Sequence, residues 1–248
     1  MTTRVALVGA SGKLGTIIRS VIDELDGFEI GAVLGSRSGM DELDGAGLVV
    51  DASTPGSSVE VVRAATERGI NLLVGTSGWS AERIAQVRPL IDAAGTGALF
   101  VPNFSLGSVI GTVLATIAAP FFRSVEIVEA HQHTKIDSPS GTAVRTAELI
   151  AAARAAQGPV DAPHVDQRAR GQQVASVPVH SLRRPGVIAK QEVILSGAGE
   201  SLSIVHDTVQ PEAAYAPGIR LALPYARDLR GVVVGLENVI DLGIRPRA

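Results

Sequence analysis

Five short apolar runs, separated by helical patterns, fill the first hundred residues, and few architectures accept that order. Residues 4–8, 29–34, 48–51, 71–74 and 98–101 read as strands, and residues 13–25, 57–68 and 81–93 as helices between them. Strands joined through helices run parallel, because a hairpin is too short to hold the crossover. A parallel sheet is covered on both faces, so its strands are apolar without alternation, as Val5-Ala6-Leu7-Val8 and Leu48-Val49-Val50 are. The expected fold is α/β.

The first strand runs directly into Gly9-Ala10-Ser11-Gly12-Lys13-Leu14-Gly15, which opens a helix. Glycines there permit a tight turn and let backbone N–H groups approach a pyrophosphate, whose charge the positive end of the helix favours. Gly9, Ser11, Gly12, Lys13, Leu14 and Gly15 are therefore candidate dinucleotide contacts in a Rossmann-type domain, with Lys13 adding a point charge. The spacing is G-x-x-G-x-x-G, a variant of the usual fingerprint. NAD-selecting proteins carry a carboxylate about 20 residues further on for the ribose hydroxyls. Here the second strand ends in Gly35-Ser36-Arg37-Ser38, with no acid. Arg37 and two hydroxyls suit a 2′-phosphate, so NADPH is the expected cofactor and NADH a possible second one.

After Asn103 the pattern changes. A helix at 108–119, a strand at 124–130, a polar loop and a helix from Thr142 lead into residues 158–173, rich in Gly, Pro, Asp and Gln, which read as the most mobile loop. Strands at 174–182, 187–195 and 201–206 follow without long crossovers, which points to mixed or antiparallel pairing. A last helix at 213–229 contains Pro217 and Pro224, which should delay its start or kink it. The expected organisation is a dinucleotide domain of residues 1–102 and 213–248, and a smaller α+β substrate and oligomerisation domain of residues 103–212.

The net charge of −3 leaves no basic field for nucleic acid or an anionic membrane. The apolar run 109–122 is too short to span a bilayer. With no cysteine, disulfides, thiolate metal sites and thiohemiacetal chemistry on semialdehydes are all excluded. A cytoplasmic location is expected. Only His131 and His133 are close enough in sequence to suggest metal ligands, and no metal is expected. His180 and His206 read as structural hydrogen-bonding groups.

The segment Glu129-Ala130-His131-Gln132-His133-Thr134-Lys135-Ile136-Asp137-Ser138-Pro139-Ser140-Gly141-Thr142-Ala143 gathers imidazoles, an amine and a hydroxyl-rich helix start. It resembles the dihydrodipicolinate reductase pattern E-x-H-H-x-x-K-x-D-x-P-S-G-T-A. Val74-Gly75-Thr76-Ser77-Gly78-Trp79 resembles that family's V-G-T-T-G-[FW]. Pro102-Asn103-Phe104-Ser105-Leu106-Gly107 is similar to its P-N-F-S-x-G, and Val179-His180-Ser181-Leu182-Arg183 to its V-H-[SA]-x-R. These segments run through most of the chain in the family's order.

The resemblance implies NAD(P)H-dependent reduction of 4-hydroxy-tetrahydrodipicolinate, after loss of water, to tetrahydrodipicolinate, in lysine and diaminopimelate biosynthesis. Hydride added to a carbon conjugated with a ring imine pushes negative charge toward nitrogen, so a proton donor and a cation are needed. His131, at the family's acid position, and Lys135 supply both. Ser140, Gly141 and Thr142 begin a helix whose N–H groups and hydroxyls suit a substrate carboxylate. By the same resemblance Gly75, Thr76 and Ser77 line the nicotinamide, Asn103 and Phe104 close over it, and Ser53 runs beside the cofactor; Trp79 itself reads as a packing residue beside the cofactor cleft. A homotetramer assembled through the second domain's sheet is also implied. Three departures stand out: Ala52 replaces the Phe of D-F-[ST], Gln132 replaces a second His near substrate, and Thr134 stands where His or Asn is common. In addition, no Arg follows His206 before Tyr215. Two other readings remain: a reductase of another carboxylated cyclic imine, and an NADPH-binding sensor without turnover.

Overall fold

The computed structural model describes residues 2–243; residues 1 and 244–248, which the expected first domain includes, lie outside them. In chain order the elements are β1 (Thr3–Val8), α1 (Lys13–Glu24), β2 (Phe28–Leu34), β3 (Leu48–Asp51), α2 (Ser58–Glu67), β4 (Leu72–Val74), α3 (Ala81–Ala94), β5 (Gly97–Phe100), α4 (Leu106–Ala118), β6 (Ser124–His131), α5 (Gly141–Ala153), β7 (Gln172–Val174), β8 (Val177–Arg183), β9 (Ala189–Ser196), β10 (Ser201–Thr208), α6 (Pro211–Asp228) and β11 (Gly231–Val234). The chain divides into two compact units, one formed by the residues up to Phe104 and from Tyr215 onward, the other by Ser105–Ala214.

The first unit holds a six-stranded sheet in the order β2-β1-β3-β4-β5-β11, with every pair parallel. Val5, Ala6, Leu7, Leu48, Val49, Leu72, Leu73, Ala98 and Leu99 are all fully buried, as expected of strands covered on both faces. The strand order reverses beside β1, whose neighbours are β2 and β3. Ligands of open α/β sheets bind at the carboxyl ends of the strands at such a point. β11 falls on a Gly-Val-Val-Val run too short to stand out in the sequence, and it exists through its parallel register with β5, Gly231 opposite Gly97. Helix α6 starts at Pro211 and runs unbroken through both internal prolines, against the expected delay. The hydrogen bonds lost there are offset by the burial of Ile219, Ala222, Leu223 and Ala226.

The second unit holds a five-stranded sheet in the order β10-β9-β6-β8-β7. β6 and β8 are parallel, and the other pairs antiparallel. Ala115 of α4 and Ala143, Ala147 and Ile150 of α5 pack with Val125, Ile127, Val179, Val193 and Leu195 of the sheet. The sequence reading of one strand at 174–182 is wrong. Residues 175 and 176 both take positive φ, 47° and 75°, and turn the chain back, so that Val174 pairs with Val177. Neither Ala nor Ser signals such a turn, which usually displays Asn or Gly. Residues 158–173, read as featureless loop, contain a 3₁₀ turn at Arg168–Arg170 and the first two residues of β7. Among the described residues no helix is long and apolar enough to cross a membrane.

Candidate active site

In the first unit the glycine loop is shaped by contacts that exclude any side chain. Gly9 has φ +82°, and a Cβ on it would lie 2.4 Å from the Ala52 carbonyl oxygen; one on Gly15 would lie 2.2 Å from that of Gly9. The loops after β1 and β3 therefore meet backbone to backbone where the strand order reverses. Gly12 is the N-cap of α1 and offers no side chain to its first turn, which also lacks an acid. Those N–H groups have no partner within the helix, and they are the ones an anion can take. Ser11 and Lys13 are exposed beside them.

Three more of the expected cofactor residues converge. A Cβ on Gly75 would meet the Phe104 ring at 2.8 Å and the Leu14 side chain at 2.9 Å. Thr76 is buried, its hydroxyl bonded to the Asp51 carbonyl oxygen at 3.3 Å, and Ser77 is exposed. Ser53 is bonded through both N–H and hydroxyl to the Asp51 carboxylate. Asn103 is half-buried next to Phe104. Arg37 is exposed in the turn after β2, which closes by a Ser38 N–H to Gly35 carbonyl bond of 3.2 Å. Glycines where a side chain would clash, with uncapped helix N–H groups beside them, fit a dinucleotide, with Arg37 and Lys13 as the nearby cations.

In the second unit the chemistry centres on Glu129, which is completely buried at the end of β6. His131 Nδ1 lies 2.6 Å from Glu129 Oε2. Arg183 of β8 donates to both carboxylate oxygens, each at 3.0 Å, and the backbone N–H of Ser140 reaches Oε1 at 3.3 Å. Burial pushes the Glu129 carboxyl up, but hydrogen bonds from His131 and Arg183 outweigh it and bring the pKa to about 2. Residues two apart on a strand share a face, which is why Glu129 and His131 meet. With Nδ1 engaged, Nε2 is the imidazole nitrogen left for a ligand.

The same Arg183 braces the loop that carries Lys135. Its Nε donates to the Lys135 carbonyl oxygen at 3.3 Å and its Nη2 to that of Asp137 at 2.6 Å. Lys135 N–H closes a turn onto the Gln132 carbonyl oxygen at 3.0 Å, leaving Gln132, His133 and Thr134 exposed. Lys135 Nζ pairs with Asp137 Oδ1 at 2.7 Å, and this bond, against slight desolvation, holds Asp137 below the usual carboxylate range. Ser140 is buried, and its hydroxyl caps α5 by accepting from Ala143 N–H at 3.2 Å. Gly141, exposed with open space around it, and half-buried Thr142 form the first turn. His180 bonds Glu126 at 2.8 Å and His206 bonds Ser105 at 3.2 Å. Among the described residues no group of three or more potential ligands is placed to hold a metal ion.

No sequence signal by itself assigns a role to Glu129 or Arg183. The period-2 spacing of Glu129 and His131 was a readable signal; the pairing with an arginine 54 residues away was not.

Two family models match in series, dihydrodipicolinate reductase N-terminus over residues 3–104 and dihydrodipicolinate reductase C-terminus over residues 107–240. The chain belongs to the dihydrodipicolinate reductase family. The 4-hydroxy-tetrahydrodipicolinate reductase of Clavibacter sepedonicus is 54% identical over 250 residues, covering 100% of this chain and 90% of that protein. The protein of the same name from Streptomyces coelicolor is 41% identical over 246 residues, covering 96% and 98%. Among solved structures, dipicolinate-bound dihydrodipicolinate reductase from Paenisporosarcina sp. TG-14 superimposes with a TM-score of 0.80 at 26% identity, covering 97% of this chain and 100% of that one. An amine dehydrogenase from Mycobacterium smegmatis, 12% identical with a TM-score of 0.65, shares the fold alone. Like the rest of its family, this chain is an NAD(P)H-dependent oxidoreductase.

Proposed function

We propose that this reductase acts on 4-hydroxy-tetrahydrodipicolinate, which loses water and is reduced to tetrahydrodipicolinate, with NADPH as the preferred donor and NADH accepted. This is the reaction for which its curated relatives are named, and their likeness over the whole chain favours neither a sensor nor a reductase of another cyclic imine. The observation that carries the mechanism is the Glu129–Arg183 pair. It orients His131 and braces the Lys135 loop in one network.

When bound, the reduced nicotinamide supplies a hydride. His131, oriented through Nδ1, delivers a proton from Nε2. Lys135 exchanges Asp137 for a substrate carboxylate and counters the negative charge that develops on the ring. The first turn of α5, at Gly141 and Thr142, takes a carboxylate through its N–H groups, and Gln132 adds a neutral hydrogen bond. Ser140 supports that turn as its cap. Gly9, Ser11, Gly12, Lys13, Leu14 and Gly15 cradle the pyrophosphate, Arg37 holds the 2′-phosphate, and Ser53, Gly75, Thr76, Ser77, Asn103 and Phe104 flank the rest of the cofactor. By its likeness to biosynthetic reductases we assign the enzyme to the cytoplasm. The face of the second sheet that carries Leu182 and Val205, both substantially exposed, fits assembly as a homotetramer.

The test supplies purified enzyme with NADPH and freshly made synthase product, with pyridine-2,6-dicarboxylate as planar competitor. NADPH is consumed and the dicarboxylate inhibits. Lys135→Ala lowers kcat/KM by about a hundredfold or more while leaving the NADPH Kd within about twofold. Equal losses in turnover and cofactor affinity would remove Lys135 from the substrate site.

A further inference from the structure

Three charged side chains are deeply buried among the described residues: Glu129, Arg154 and Asp51. Glu129 belongs to the site above, and Arg154 is taken up by the carbonyl oxygens of Ala119 and Phe122. Asp51, at the end of β3, is wholly inaccessible, and each of its hydrogen-bond partners among the described residues is neutral. Oδ1 accepts from Ser53 N–H at 3.0 Å and from the Ser53 hydroxyl at 2.5 Å, and Oδ2 accepts from the Ser58 hydroxyl. Ser58, itself fully buried at the start of α2, accepts from Trp79 Nε1 at 2.8 Å.

These bonds have one possible direction. An indole N–H only donates, so the Ser58 hydroxyl receives from Trp79 and gives its own hydrogen to Asp51. The backbone oxygen of Asp51 takes Gly75 N–H at 2.9 Å and the Thr76 hydroxyl at 3.3 Å. One residue thus grips the segment 75–79 at both ends. Arg83 adds an outer clasp, donating to the Gly78 and Pro55 carbonyl oxygens at 2.6 and 2.8 Å while lying 5.1 Å from the Trp79 ring centroid. The segment has little slack, because a Cβ at Gly75 would already collide with Phe104 and Leu14.

We propose that Asp51 is a positioning residue for the cofactor: through Ser58 and Trp79 it sets the conformation of loop 75–79. This rests on the reading that residues 75–77 flank the nicotinamide. A buried carboxyl group is costly without hydrogen bonds in place of water, and the three donors on Asp51 favour one arrangement of the network. Loss of the Ser58 hydroxyl strands both Trp79 N–H and Asp51 Oδ2 and frees the loop.

The test compares wild type, Ser58→Ala, Trp79→Phe and the double variant, with NADPH affinity measured by calorimetry. Each single change weakens NADPH about tenfold, the scale of one buried hydrogen bond. The double variant is no weaker than either single, since both cut one chain. Substrate KM at saturating NADPH is unchanged. Trp79 is the only tryptophan, so the emission of unliganded Ser58→Ala reports the altered indole hydrogen bond directly. An unchanged NADPH Kd in folded Ser58→Ala, or additive losses in the double variant, would overturn the inference. Should Ser58→Ala fail to fold, Trp79→Phe, which keeps an aromatic ring but loses the N–H donor and part of the indole, decides alone by its NADPH Kd. Failure of wild type to bind NADPH would instead defeat the cofactor reading beneath it.

Discussion

Glu129 shows how a single residue ties stability to chemistry. Its carboxyl stands near 2 in the folded protein against an ordinary 4.5, so folding favours the ionised form. The stability this contributes is complete above pH 4.5 and drains away as pH falls through about 2. Wild type should therefore lose melting temperature across that window more steeply than Glu129→Gln, whose side chain does not titrate; parallel slopes would contradict the assignment. At neutral pH the same variant should lose kcat, because the neutral amide keeps one acceptor oxygen where the carboxylate offers two, and His131 and Arg183 use both. Arg37, proposed above to hold a 2′-phosphate, lies in an exposed turn. Arg37→Ala should raise the Kd for NADPH about tenfold and leave NADH within about twofold. Direct titration of both cofactors checks this, and an unchanged ratio excludes the role.

The elements differ in how openly the sequence displays them. Strands β1 to β5 are visible because each is a local apolar run, with an α-helix in every connection but that from β2 to β3, and the glycine loop because its spacing is local too. The β7–β8 turn is hidden, since Ala175 and Ser176 are driven into positive φ by the pairing around them rather than by their own preference. Ala175→Asn, which tolerates that conformation better, should stabilise the protein by about 0.5–1 kcal/mol. A rise in denaturant midpoint with unchanged slope is the expected reading, and a fall would mean that the turn is held by other contacts. In α6 the prolines suggested a late or bent helix. Its apolar residues bury deeply enough for the helix to continue, and Gly218 lies so near the Phe104 carbonyl oxygen that a Cβ would stand 2.0 Å from it.

Across the whole molecule, distant segments are joined by contacts with no local signature. Asn71 donates to the carbonyl oxygens of Ala226, Arg227 and Leu229 at 3.1, 2.8 and 2.9 Å and accepts from Gly97 N–H at 2.8 Å. One buried amide thus fastens the end of α6 to the first sheet, linking residues 155 to 158 positions apart. Asn71→Ala leaves these groups without their partner and should cost about 2–4 kcal/mol. Denaturant unfolding measures it, and a loss under about 1 kcal/mol would show that solvent replaces the amide. Glu129 and Arg183 are linked over 54 positions, and the parallel pairing of β6 with β8, with Arg183 opposite His131 and Ser181 opposite Glu129, brings them within reach. Their partnership is legible only once that register is known.

From the sequence alone follow the parallel sheet, the dinucleotide loop and the segment carrying His131 and Lys135, because periodicity, glycine spacing and motif order are properties of neighbouring residues. Tertiary structure decides the sixth strand, the hairpin at 175–176, the clamp of Asn71, and the service of Glu129 and Arg183 to His131. Each depends on groups far apart in the chain, and a buried polar atom finds its partner only when the packed backbone brings the two within hydrogen-bond distance.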